Sequence, residues 1–282
     1  MPEHRVYTEV YGGAASVLLR KPRSYAEIYN DLDGEIVNLF RQMRDNGEEL
    51  RKLLALTPFA REEYMLAWQR TDDPLEQARR TVIRSFMGFG SAAVTMKRGN
   101  DPNVSNKAGT GFRSNSTRSG TTPAHDWRNL AGVPQFLNNK GLDRHVTHSE
   151  RWKNYDNCLT AIIERLRGIV IENKDALEIV TMHDGEKTLH YVDPPYPAET
   201  RDAGTDYQHE MTTEQHRELA ACLHGLSGAV ILSGYACDLY DKELYPDWRR
   251  VTKEAMADGA LKRIEVLWMN EKATAGRGGL FE

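Results

Sequence analysis

The sequence of 282 residues predicts an α/β fold, a mostly parallel sheet with an inserted, mostly helical lobe. Three observations predict it. Apolar runs of strand length alternate with amphipathic helical stretches in both outer parts of the chain. Glycine, proline and capping residues punctuate the ends of those runs. Between about residues 45 and 150 the alternation gives way to helical segments and a polar tract. The expected division is a sheet domain over 1–44 and 151–282, with a lobe over 45–150 set into it.

The first segment reads as strand, glycine turn, short helix, strand and helix. "VYTEVYGGAASVLL" supplies the first strand and turn, "YAEIYNDLD" the second strand, and "GEIVNLFRQMRD" the helix. In that helix Ile36, Leu39, Phe40 and Met43 recur at helical spacing, and Asp33 stands where a cap is needed. Further on, Asp73-Pro74-Leu75-Glu76 gives an N-cap, a proline at the first helical position and an acid in the capping-box position. Leu75, Ala78, Val82, Ile83 and Phe86 then share one face. That helix runs into "MGFGS" and a tract from Lys97 to Gly120 rich in Gly, Ser, Thr and Asn. Lys97, Arg98, Lys107, Arg113 and Arg118 face one acid there, Asp101, so the tract alone suits a linker and a basic loop equally.

Order returns with a helical stripe of Trp152, Tyr155, Leu159, Ile162, Ile163 and Leu166, ended by Gly168. "GIVIEN" and "LHYVDPPY" follow as strands. A helix starts at Thr212, with Gln215 in the capping-box position and Gly225 as its terminator. "AVILSGY" and "RIEVLWMN" are the last strands, and no internal repeat is present.

Composition narrows the function classes only a little. The formal net charge of −4 does not advertise a nucleic-acid partner, so any basic surface has to be local. Cys158, Cys222 and Cys237 are odd in number and far apart, which supports neither a disulfide framework nor a zinc site and suits a reducing compartment. His145 and His148 with Cys158 are too loosely spaced for a metal centre, and no metal is expected. No apolar run has transmembrane length and the first residues lack a signal-peptide core, so a cytoplasmic protein without a membrane partner is expected.

The chemistry concentrates in "LHYVDPPYPAET". Pro194 and Pro195 lack the N–H that a continuing ladder needs, so the strand stops at Asp193. Each proline also holds the residue before it extended, which fixes the Pro194 carbonyl beside the Asp193 carboxylate. Two acceptors and the Tyr196 ring thus meet at a strand end, where open α/β sheets bind ligands. Other strand ends carry Gly12 and Gly13, whose missing Cβ atoms let a ligand approach, and Asp31, where a carboxylate can take both hydroxyls of a ribose. Asp175 lies just beyond the third strand.

In this order the features resemble the Dam-like, D12-class adenine-N6 DNA methyltransferases of phages, prophages and restriction–modification systems. The family's turn of Glu-Pro-Phe followed by glycines reads Glu9-Val10-Tyr11-Gly12-Gly13-Ala14 here, without the proline. The resemblance implies a Rossmann-like sheet binding S-adenosyl-L-methionine, with an inserted target-recognition lobe. Tyr11, Gly12, Gly13, Asp31, Asp175 and Asp193 would border the cofactor, with Asp31 on its ribose and Asp175 near its adenine. Asp193, Pro194, Pro195 and Tyr196 would be catalytic: Asp193 and the Pro194 carbonyl accept the target amine's hydrogens, and Tyr196 stacks on the flipped base. Lys97, Arg98, Lys107, Arg113 and Arg118 would then contact duplex DNA, and a monomer or weak dimer is expected. Members usually carry an earlier Gly-Gly-Lys turn over the methionine end of the cofactor. The strand begins almost at Met1 here, from which weak cofactor binding is expected, with Arg277 in the glycine-rich tail as a substitute partner for the carboxylate.

The same residues leave other functions open: methylation of RNA adenine or of cytosine N4, or a nucleic-acid-binding module that keeps the fold without methyl transfer. A dehydrogenase is disfavoured because Gly12-Gly13 lacks GxGxxG spacing.

Overall fold

A computed structural model describes residues 1–88, 148–153, 155–200, 209–256 and 262–275. The chain divides into two compact units, one of residues 1–12, 22–32 and 168–282, the other of residues 13–21 and 33–167.

The first unit is built on a mixed sheet of seven strands: β1 (Val6–Glu9), β2 (Ala26–Asn30), β3 (Val170–Glu172), β4 (Thr188–Val192), β5 (Ala229–Tyr235), β6 (Arg249–Met256) and β7 (Lys262–Met269). Their order is β3-β2-β1-β4-β5-β7-β6. β1 to β5 are mutually parallel, and β7 runs antiparallel between β5 and β6. The sequence predicted six of these strands and missed β6, whose "RRVTKEAM" is too polar to read as a strand until it is seen to lie on the sheet edge.

One face of the sheet is an apolar core. Val10, Ile28, Val192, Val230, Leu232, Val266 and Trp268 pack there against Ile179 and Val180, Leu219 and Leu223, and Tyr240 and Tyr245. Two helices supply the first four of those partners, a short one over Ala176–Met182 and a longer one over Thr213–Gly225; the tyrosines come from in and beside a π-helical turn, Leu239–Leu244. The Thr213–Gly225 helix starts on the expected reciprocal box, with Gln215 N donating to Thr212 Oγ1 at 3.2 Å and Thr212 N to Gln215 Oε1 at 2.8 Å.

The second unit is helical. In chain order its helices are α1 (Gly34–Asp45), α2 (Gly47–Leu56), α3 (Arg61–Leu66), α4 (Pro74–Met87), α5 (His148–Lys153) and α6 (Tyr155–Leu166); the two helices on the sheet are then α7 and α8, and Glu271–Thr274 is α9. Asp33 and Asp73 cap α1 and α4 as predicted, accepting from Glu35 N and from Leu75 N and Glu76 N. The Trp152–Leu166 stripe is buried, and Gly168, at φ +80, ends it. Phe86 of α4 meets Trp152 and Tyr155 at ring-centroid distances of 5.2 and 5.3 Å. Arg84 is fully buried, donating to Ala67 O at 2.8 Å and pairing with Glu35.

This grouping differs from the division at 44/45 and 150/151. α1 and α6 pack with α4 and α2, because the stripes on Ile36–Met43 and Trp152–Leu166 meet helical partners. The expected short helix after the glycine turn is also absent: residues 13–21 form consecutive turns, held to α6 by Arg165 Nη2 donating to Leu18 O at 2.6 Å.

Candidate active site

The strand order reverses direction between β1 and β4, so their carboxyl ends open the crevice where ligands bind in sheets of this kind. β1 ends at Glu9 and β4 at Val192, which puts Tyr11 and Gly12 after one strand and Asp193 after the other.

Asp193 is the most perturbed acid there. Burial pushes its carboxyl up to about 6, with Glu265 adding a like charge, while the Tyr196 and Ser233 hydroxyls pull it back toward the ionised form. Oδ1 is buried and has no hydrogen-bond partner, so those hydroxyls act on the charge of the group without closing a bond at Oδ1. An orphaned acceptor of this kind is costly to keep and is a place for an external donor. Pro194 is buried behind it, and Pro195 and Tyr196 are half-buried. The Tyr196 ring meets Tyr235 edge to face, with centroids 4.6 Å apart and planes at 66°.

The floor next to Asp193 is also polar. Glu9 is buried and accepts from the Tyr7 hydroxyl at 2.7 Å. The Tyr191 phenol is driven upward by burial and by Asp193, against a hydrogen bond from Ser233. Sequence reasoning noted Glu9 only as the acid of the glycine turn and missed Ser233, Tyr235 and Glu265; the signal available was "SGY" at the end of the β5 run, with residues two apart on one face.

The predicted cofactor residues are treated unequally. Gly12 is needed for a reason other than ligand approach: a Cβ there would lie 2.1 Å from Cε2 of the buried Tyr29 ring. Gly13 does suit an approaching ligand, since it has φ +45 and nothing within 4 Å of a built Cβ. Asp31 follows β2 directly and is half-buried. Asp175 is exposed and caps α7, its Oδ1 accepting from Leu177 N at 2.8 Å. Tyr11 packs on the apolar core, and burial, followed by the nearby Asp175, holds its phenol well above the usual range.

The loops bearing these residues are tied together by two asparagines that sequence reasoning also missed. Asn30 Nδ2 donates to Val10 O at 2.9 Å and to Lys174 O at 3.0 Å. Asn173 Nδ2 donates to Asp31 O at 2.7 Å and to Leu32 O at 3.1 Å.

Lys97, Arg98, Lys107, Arg113, Arg118 and Arg277 lie outside the described residues, as does His145. Among the described residues no group of three His, Cys, Asp or Glu side chains is arranged to hold a metal ion, and no helix is long and apolar enough to cross a membrane. A cavity of about 290 Å³ lies in the helical unit, lined by Thr57, Phe59, Trp152, Lys153 and Tyr155 among others, and includes none of the strand-end residues described above.

Residues 132–258 match the model of the family described as D12 class N6 adenine-specific DNA methyltransferase, so a domain of that class is present over those residues. The matched stretch holds β3 to β6, Asp175 and Asp193–Tyr196, while β1, β2 and the residues on them lie before it. No curated protein matches the chain.

Proposed function

We propose that the chain is a site-specific DNA methyltransferase that moves a methyl group from S-adenosyl-L-methionine to N6 of an adenine flipped out of duplex DNA. One observation carries this reading: the buried, unpartnered Oδ1 of Asp193 at the end of β4, followed directly by Pro194, Pro195 and Tyr196. The strand order, with its reversal between β1 and β4, favours a Rossmann-like cofactor sheet.

The amine of adenine is a weak nucleophile because its lone pair is spread into the ring. Oδ1 of Asp193 and the Pro194 carbonyl accept its two hydrogens and bend the nitrogen toward tetrahedral geometry. Because both are held before reaction, they stabilise the charge that develops on nitrogen without reorganising. Tyr196, braced by Tyr235, stacks on the extruded base and returns roughly 1–3 kcal/mol of the few that flipping costs.

The residues at the strand ends fit the cofactor. Gly13 leaves open space where a Cβ would stand, Asp31 follows β2 where a ribose acid belongs, Tyr11 and Gly12 border the turn, and Asp175 flanks the adenine side. When bound, the cofactor supplies an electrophilic methyl group on a sulfonium, and the protein's part is to orient it. The basic tract with Lys97, Arg98, Lys107, Arg113 and Arg118 is the DNA-contacting loop on this reading, since five cations face one acid.

The test is transfer of labelled methyl groups into unmethylated duplex DNA, followed by mapping of the modified base. Label at adenine N6 is expected. Label in RNA or at cytosine N4, or DNA binding without transfer, would replace the reading with one of its alternatives.

A further inference from the structure

The loops after β1, β2 and β3 carry Tyr11 and Gly12, Asp31, and Asp175, the residues assigned above to the cofactor. Ladder pairing among these three strands ends at Glu9, Asn30 and Glu172, so it does not hold the loops beyond them. A loop set of this kind keeps its shape only through bonds of its own.

Asn30 makes those bonds. Its side chain is fully buried and works in three directions: Nδ2 donates to Val10 O at 2.9 Å and to Lys174 O at 3.0 Å, and Oδ1 accepts from Lys174 N at 2.9 Å. Its backbone carbonyl accepts from Gly12 N at 2.8 Å. One residue at the end of the middle strand thus clamps the loop before it in the sheet and the loop after it. Asn173 adds a return clamp from the third loop to the second, through Asp31 O at 2.7 Å. Only an amide offers two donors and an acceptor at this size; a carboxylate loses both donors and faces two carbonyl oxygens, and an aliphatic chain leaves all three backbone groups unsatisfied.

We infer that Asn30 is the positioning residue of the cofactor site, holding Tyr11–Gly12, Asp31 and Asp175 in one fixed arrangement, with Asn173 as its second anchor. This rests on the cofactor reading above. Asn30 touches no ligand in this scheme; it sets the affinity of the site by keeping three loops assembled before the ligand arrives, so that no ordering cost falls on binding.

The experiment compares the full chain with Asn30→Leu, Asn173→Ala and, as a control that loosens the helical unit instead, Ile163→Ala. Backbone hydrogen exchange in the unliganded chains should show the Gly12 and Lys174 amides exchanging faster in Asn30→Leu and unchanged in Ile163→Ala. Calorimetry with S-adenosyl-L-methionine should show affinity falling about tenfold or more in Asn30→Leu and about threefold in Asn173→Ala. Affinity for duplex DNA without cofactor should stay within about twofold in both. If Asn30→Leu does not fold, Asn173→Ala, whose side chain is exposed, decides the matter. Wild-type cofactor binding matched by the folded variants overturns the inference alone, even if the amides exchange faster. Absence of cofactor binding by the wild type overturns the cofactor reading and this inference together.

Discussion

Ser233 stands beside Asp193 one step beyond Val192 and Leu232, the last registered pair of β4 and β5. Its hydroxyl favours the Asp193 carboxylate, whereas Glu265 on β7 opposes it. Among the described residues the phenols of Tyr191, Tyr196 and Tyr240 also face Asp193, and Ser233 and Glu265 form an opposed pair that can be separated by substitution. Ser233→Ala should raise the midpoint at which Asp193 ionises above about 6, and Glu265→Gln should lower it, each by about half a pH unit. Carboxyl-carbon NMR of the unliganded chain reads both shifts. Shifts of the same sign would remove the pair from the site.

Asp193→Asn keeps the shape of the side chain and removes its charge. Methyl transfer should fall at least about a hundredfold, as when a preorganised electrostatic partner is lost, with cofactor affinity changed far less. Stability should move the other way. The folded carboxyl titrates near 6, above its unfolded value, so its favourable contribution is complete below about pH 4 and lost as pH rises through 6. Above pH 7 the variant should therefore be more stable than the wild type by about 1–2 kcal/mol, a figure reduced for the partial exposure of the residue. Denaturant melts at pH 5 and pH 8 check the sign.

His190 behaves oppositely. It is fully buried on β4, with Nδ1 2.9 Å from Thr8 Oγ1 and Nε2 3.4 Å from Asp184 Oδ1, and burial holds its ring down to about 4 in spite of that acid. The unfolded chain binds this proton more readily, so stability is complete above the ordinary histidine value and is lost as pH falls from about 6.5 through 4. Between pH 4 and 6 the slopes from His190 and Asp193 cancel in the wild type. Asp193→Asn should expose acid destabilisation in that window, and His190→Gln should expose the opposite trend. Chemical unfolding at half-unit pH steps measures both.

Gly12→Ala drives a Cβ to 2.1 Å from the Tyr29 ring, which is buried and has no free side to move toward. A loss of about 1–3 kcal/mol is expected, as for other overpacked cores. Adding Tyr29→Leu should restore part of it, a coupling that a double-mutant cycle reads directly.

What the sequence made legible was local in origin. Asp33, Asp73 and the Thr212–Gln215 pair announce helix starts because a cap and its target lie within three residues. Asp193–Tyr196 announces a strand end because proline cannot continue a ladder. What stayed hidden depends on partners remote in sequence. Nothing in "GG" reveals that Tyr29 fills the space beside Gly12, nothing in "YNDLD" reveals that Asn30 reaches Lys174, and the helical partners of α1 and α6 are chosen by faces that only packing brings together. Asp175 was read as a cofactor neighbour, and its place as the cap of α7 was missed because that helix has only seven residues.

The sheet order also constrains how the chain reaches this structure. β1 ends at Glu9, yet one of its two partners, β4, begins at Thr188, and β3 and β4 are kept apart in the sheet by β2 and β1. The centre of the sheet therefore cannot close until Thr188–Val192 has been made, and β1 and β2 wait until then with an unpaired edge. Long-range parallel pairing of this kind folds slowly and exposes strand edges meanwhile. The stretch that matches the methyltransferase family has the same problem in isolation: β4 keeps β5 beside it, but β3 and β4 have no strand between them to join, so Asp193–Tyr196 would stand at the edge of a partial sheet.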